Sequence, residues 1–219
     1  MLKFVSFDIG ETLIDFYYLD YVWNTVIPQL YAKKKGIDFK EAKDYVLKEY
    51  NLVGINDVRW YLPEYWFDYF NLDEDPLKVF RSNTNKIRFY PEVPSVLENL
   101  SQKYDLIVAS GIPRNIVEIV IEEFKHYFKH VFSPVSDLKE VKKTAKFYRM
   151  ICKNLGIKPS VMVHIGNELN SDFNIPRKIG IKGFLLDRTG EKSGKFVIKD
   201  LRELEEKLKN LLERPLEQI

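Results

Sequence analysis

Short apolar runs that stop abruptly at polar or glycine residues recur along this chain, with helical patterns between them. Residues 2–7 form the first run and lead straight into Asp8. Residues 105–109, Asp-Leu-Ile-Val-Ala, end at Ser110-Gly111, and residues 161–165, Val-Met-Val-His-Ile, end at Gly166-Asn167. Residues 182–186 end near Asp187-Arg188, and Phe196-Val197-Ile198 reads as a last short strand. Continuous apolar runs bounded by turn residues suit strands buried on both faces. Amphipathic patterns over roughly 92–103, 113–127, 141–155, 171–179 and 200–213 separate them. In the last, Asp200 is the expected N-cap with Glu203 three residues on, and Leu201, Leu204, Leu208 and Leu211 share one face. The alternation specifies an α/β fold with a parallel sheet. Ligands of such sheets bind at the carboxyl ends of the strands, where Asp8, Ser110 and Gly166-Asn167 all fall.

Residues 15–88 break the alternation. They are helical in pattern, and residues 16–70 hold all three Trp and 16 of the 31 aromatic residues. Crowded rings imply a small helical core of their own, with some rings turned toward a substrate pocket. The expected organisation is a core made of residues 1–14 and 89–219, with 15–88 inserted as a helical cap.

At 219 residues the chain suffices for one domain carrying such an insertion. Hydrophobic residues at 45% and charged residues at 30% describe a globular protein. A formal charge of +2, with the 34 basic residues dispersed, argues against a nucleic-acid partner. Cys152 is the only cysteine, so neither an internal disulfide nor a cysteine-based metal site is expected. No signal-peptide pattern and no apolar run approaching 18 residues is visible, which favours a cytoplasmic protein without a membrane partner. His126 and His130 sit four apart on an expected helix, but with no third ligand they read as an exposed pair.

A carboxylate at the exit of a buried strand is costly unless it is paired, metal-bound or used for chemistry. Asp8 stands in Asp-Ile-Gly-Glu-Thr-Leu. Ser110 follows an apolar strand, Lys142-Lys143-Thr144-Ala145-Lys146 begins a helix, and Gly166-Asn167-Glu168-Leu169-Asn170-Ser171-Asp172 follows the next strand. In this order, with Tyr90-Pro91-Glu92-Val93 leading into a helix, the chain resembles the haloacid dehalogenase-like (HAD) hydrolase superfamily. Most of its members are magnesium-dependent phosphatases. The resemblance covers almost all of residues 1–213 and implies a three-layer Rossmann-like core with a helical cap.

Carried over residue by residue, the resemblance implies that Asp8 is the nucleophile forming an aspartyl-phosphate. Ser110 hydrogen-bonds a phosphoryl oxygen, and Lys142 neutralises charge between the two. Counting back from Leu155-Gly156 selects Lys142, and a one-residue slip selects Lys143. Asp8, the Gly10 carbonyl, Asn167 and Asp172 are the implied ligands of Mg2+, a hard cation that oxygen donors suit. The expected partner is a small phosphorylated metabolite, hydrolysed by a monomer or homodimer.

Two positions depart from the pattern. Gly10 stands where the family phosphatases carry an Asp that protonates the leaving group, and general acid–base catalysis is worth about 10²–10⁴-fold. Its loss favours good leaving groups such as acyl or aryl phosphates, unless Glu11 reaches the leaving oxygen. Asn167 replaces a usual Asp and brings no charge, with Glu168 next to it as a substitute. The same departures fit a metal-independent 2-haloacid dehalogenase, although the five residues from Asn167 to Asp172 are phosphatase-like spacing. They also fit a HAD scaffold kept for binding rather than turnover.

Overall fold

The structure, a computed structural model, describes residues 2–213. Six parallel strands form one sheet in the order β3-β2-β1-β4-β5-β6. The strands are β1 (Phe4–Phe7), β2 (Asp105–Ala109), β3 (Phe128–Phe132), β4 (Met162–Gly166), β5 (Lys182–Leu186) and β6 (Val197–Ile198). Helices link them, as a parallel sheet requires. β1 is central because its apolar run is covered on both faces, and Val5 and Phe7 are fully buried. In register, Phe7 lies opposite Val108 on one side and Ile165 on the other. The residues just past those partners therefore emerge together at one edge of the sheet: Asp8, Ser110 and the loop after Gly166.

β3 escapes the sequence reading. Phe-Lys-His-Val-Phe is an edge strand with Lys129 and His130 exposed, so it lacks the continuous apolar run of its neighbours. It places His130 on a strand, while His126 lies in the 3-10 turn Glu122–Tyr127. The two histidines do not share a helix. The expected helix over 113–127 is instead Arg114–Val120 followed by that turn. The one over 171–179 opens as a π-turn, Leu169–Asn174, before the helix Ile175–Lys178.

The helix expected over 141–155 runs from Ala145 to Asn154, because Thr144 is its N-cap and accepts the Phe147 N–H at 3.4 Å. Lys142 and Lys143 thus belong to a loop. At the C-terminal end the helix is Glu203–Glu213, and Asp200 caps the preceding turn by accepting the Arg202 N–H. Leu201, Leu204 and Leu208 are buried as expected, and the side chain of Leu211 lies outside the described residues.

Between β1 and β2 the chain is helical. Asp38 caps Phe39–Val53 through the Lys40 N–H, and Asp75 caps Pro76–Ser82 through the Lys78 N–H. Ile27, Val46, Tyr50, Trp66, Phe67 and Phe70 form a separate apolar cluster, with the Tyr50 and Trp66 rings 4.6 Å apart edge to face. Tyr18, Leu19, Val22 and Phe80, from both ends of the segment, belong instead to the main core beside β1. The inserted helices are therefore rooted in the core at both ends and self-packed in the middle. Among the described residues, no helix is long and apolar enough to cross a membrane.

Candidate active site

Asp8 leaves β1 with its backbone N–H donating to the Ile165 carbonyl of β4 at 2.9 Å, which ties it to the end of the neighbouring strand. The chain then turns sharply. Glu11 takes φ +53°, a left-handed conformation uncommon for a non-glycine residue. The N–H groups of Thr12, Leu13 and Ile14 converge on the Ile9 carbonyl at 3.2, 2.8 and 3.2 Å. Arg188, after β5, clamps this turn: its guanidinium donates to the carbonyls of Glu11 and Thr12 at 3.2 and 2.7 Å and to Glu92 at 2.7 Å, and lies over the Tyr90 ring.

Lys143 occupies the centre. Its Nζ is 2.8 Å from Asp8 Oδ1 and 2.5 Å from Asp172 Oδ1, and all three side chains are buried. This corrects the choice of Lys142, whose side chain is exposed. The reason is local: with the helix starting after Thr144, consecutive lysines of the loop point to opposite sides, and Lys143 takes the inward one.

Asp172 is held on every side. Oδ1 also meets His164 Nε2 at 3.1 Å, and Oδ2 accepts the Glu168 N–H at 3.0 Å. His164 Nδ1 lies 2.9 Å from Ser6 Oγ, so a polar chain runs through the buried sheet from β1 to β4 and into the site. Gly166 makes the packing possible, since a Cβ there would sit 2.4 Å from Asp172 Oδ2.

Burial lifts the Asp8 carboxyl above its ordinary value; Lys143 opposes the shift and the Asp172 charge adds to it. Burial pushes Asp172 the same way, but Lys143 and His164 outweigh it and hold that carboxyl well below the usual range. Burial would lower the Lys143 ammonium, yet Asp172 and Asp8 keep it raised and charged.

The other expected site residues sit around this triad. Ser110 is buried just beyond β2, with its N–H bonded to the Phe132 carbonyl at 3.1 Å and its Oγ accepting the Ile112 N–H at 3.4 Å. Gly10 is buried in the turn after Asp8, and Asn167 is half-buried in the loop after β4. Among the described residues no cluster of three or more His, Cys, Asp or Glu is arranged to hold a metal. The donor types suit Mg2+, although both Asp172 oxygens are engaged by Lys143, His164 and the Glu168 N–H, so a metal there would have to replace one of those partners. Asp8 and Asp172 supply charge, the Gly10 carbonyl and the Asn167 amide supply neutral donors, and the buried Asp8 Oδ1 meets Lys143 only as an ion pair, without a hydrogen bond. Magnesium is commonly held by one or two carboxylates, with phosphate and water completing the shell.

A sequence model of the haloacid dehalogenase-like hydrolases matches residues 2–179. The chain belongs to that family. Among curated relatives, a glyceraldehyde 3-phosphate phosphatase of Pyrococcus furiosus is 26% identical over 197 residues, 83% of this chain and 79% of its own length. A GMP/IMP nucleotidase of Escherichia coli is 30% identical over 69 residues, and that match spans 32% of this hydrolase and only 31% of the nucleotidase. Of solved structures, a HAD phosphatase from Thermococcus onnurineus is similar with a TM-score of 0.77 at 25% identity, covering 94% of this chain and 98% of the other. A 2-haloacid dehalogenase from Pseudomonas syringae has a TM-score of 0.68 at 17% identity, covering 96% and 100%, a likeness of fold alone.

His164, Arg188, Glu92 and Tyr90 also shape the site and are missing from the sequence-based set, as is Phe16, whose ring lies 2.6 Å from where a Cβ on Gly10 would stand. His164 left a signal as a polar residue inside an apolar strand, and Arg188 as a cation at a strand's carboxyl end. Their partners are 8 to 177 residues away in sequence and become visible only in the fold.

Proposed function

We propose that this hydrolase is a magnesium-dependent phosphatase of a small phosphorylated metabolite, with Asp8 as nucleophile. The observation that carries the reading is the Asp8–Lys143–Asp172 constellation at the carboxyl ends of β1 and β4. Phosphoryl transfer depends mainly on positioning and on neutralising charge. Lys143 brings a fixed positive charge to the nucleophile, and Asp172, immobilised by His164 and the Glu168 N–H, keeps that ammonium in place. Ser110 stands at the same edge of the sheet to donate to a phosphoryl oxygen. When bound, Mg2+ would be held by Asp8, the Gly10 carbonyl, Asn167 and Asp172, and would supply further neutralisation of phosphate charge. The helices of residues 15–88 are proposed as the cap that shields the site from water.

The named phosphatases among the relatives support phosphate over halide as the group removed. The deciding experiment is release of p-nitrophenol from its phosphate, with wild type, with a chelator and with Asp8→Asn. Magnesium-dependent release lost on both treatments is expected. Chelator-insensitive halide release from 2-chloropropionate would replace the proposal with a dehalogenase. Inactivity toward a phosphate panel, with no magnesium-dependent shift in melting temperature, would indicate a binding protein.

A further inference from the structure

Phe16 lies across the turn that follows the nucleophile. A Cβ built on Gly10 would stand 2.6 and 2.8 Å from Phe16 Cε1 and Cζ, so the ring fills the space a side chain at residue 10 would occupy. The ring is not part of the apolar core: Phe16 is 51% exposed. It is held there through its backbone, whose N–H donates to Glu11 Oε1 at 3.1 Å.

Most polar groups around Asp8 are engaged with one another. The buried Thr12 hydroxyl in the same turn has no hydrogen-bond partner among the described residues, but an alcohol is too weak an acid to protonate a leaving group. The second oxygen of Glu11 accepts the Tyr90 hydroxyl at 2.8 Å, so both of its oxygens face the Phe16 and Tyr90 side of the turn. Lys143 is shared between two carboxylates, and Asp172 is occupied by Lys143, His164 and the Glu168 N–H. His164 is bound at both nitrogens, and the Tyr148 hydroxyl donates to the Ser171 carbonyl at 2.9 Å. Glu168 offers Asp172 its backbone, while its side chain is exposed. The Gly10 face of the site is thus an aromatic wall with no free acid on it.

We propose that this wall selects the substrate class: phosphates whose leaving oxygen departs as a stable anion, namely acyl and aryl phosphates, with Phe16 as the specificity-determining contact for the departing group. The inference rests on Asp8 acting as the nucleophile proposed above. In the first step a bond forms between an Asp8 oxygen and phosphorus as the bond from phosphorus to the leaving oxygen breaks. The electron pair leaves on that oxygen as a carboxylate or phenolate, and no proton is transferred. In the second step a water oxygen attacks phosphorus, the pair returns to the Asp8 carboxylate, and both water protons leave on dihydrogen phosphate. An alkoxide would need a proton at departure, and no side chain on the Gly10 face supplies one.

The test compares kcat/KM of the magnesium-loaded wild type for acetyl phosphate, p-nitrophenyl phosphate and glycerol phosphate. A preference of at least about a hundredfold for the first two over glycerol phosphate is expected, the lower end of what general acid catalysis contributes. A smaller preference overturns the inference while leaving the phosphatase reading intact. Absence of any Asp8-dependent phosphate release overturns both. A second variant addresses Phe16 directly. Gly10→Asp in a Phe16→Ala background places a carboxylate in the vacated space and is expected to narrow the preference by about tenfold or more. An unchanged preference in this variant, with a wild-type melting temperature, overturns the role of the wall. If the variant does not fold, the wild-type ratio decides.

Discussion

Lys143 Nζ and Asp172 Oδ1 lie 2.5 Å apart inside the protein, where neither side chain has appreciable access to water. Buried ions of this kind are costly singly and tolerable together, so removing one partner is worse than never having had the pair. Lys143→Met leaves Asp8 and Asp172 as two buried carboxylates without their shared cation. A loss of roughly 3–5 kcal/mol in unfolding free energy is expected, together with loss of the hydrolase activity. Lys142→Met should change stability by less than about 0.5 kcal/mol, as surface substitutions usually do. Urea denaturation of the two variants side by side checks the assignment, and equal effects would contradict it.

His164 joins Ser6 to Asp172 beneath the site. His164→Phe would keep the ring contact with Tyr148 but strand a buried hydroxyl and weaken the hold on Asp172. Each unsatisfied buried group costs about 1–3 kcal/mol. We expect a destabilisation in that range and a lower kcat, seen in thermal melts and in steady-state kinetics. Restoration of stability in the double variant Ser6→Ala, His164→Phe would show that the hydroxyl carries part of the cost.

Arg188 fixes the turn after Asp8 with two hydrogen bonds and ties it to Glu92 with a third, all from one planar fork. A lysine cannot reproduce that geometry or the stacking on Tyr90. Arg188→Lys is therefore expected to lower stability by roughly 1–3 kcal/mol despite conserving charge. It should also reduce kcat by loosening the turn. Chemical denaturation and kinetics at saturating magnesium measure the two effects.

Asp8 and Asp172 give opposite pH signatures in the metal-free protein. The folded Asp8 carboxyl lies above 3.8, so its contribution to stability is full below 3.8 and is lost as pH rises through its folded value. The folded Asp172 carboxyl lies below 3.8, so its contribution is full above 3.8 and is lost as pH falls toward its folded value. With chelator present, Asp8→Asn should gain melting temperature relative to wild type as pH rises out of the acid range, and Asp172→Asn should lose it. Differences that stay constant with pH would show that neither carboxyl is shifted as described.

Much of this was legible in the chain itself. The apolar runs ending at Asp8, Ser110 and Gly166 dictate strands, and a strand buried on both faces cannot be written with any other pattern. Their order with intervening helices dictates a parallel sheet and puts those three residues at one edge. The edge strand Phe128–Phe132 escaped because its middle, Lys129-His130, is exposed, so its sequence shows neither a continuous apolar run nor a clean alternation.

What the tertiary structure alone decided is which side chains face one another across the sheet's edge. Lys142 and Lys143 are chemically identical, and the start of the helix at Ala145, set by the Thr144 cap, turns the second of them toward Asp8. Gly10 reads in sequence as a missing carboxylate. Only the fold shows that Phe16 fills its place and that Glu11 is turned onto Phe16 and Tyr90. Secondary structure follows from local periodicity and burial, which a linear sequence displays. The polar contacts of the site join residues from four strand ends and distant loops, and their distances are set by packing that no local pattern encodes.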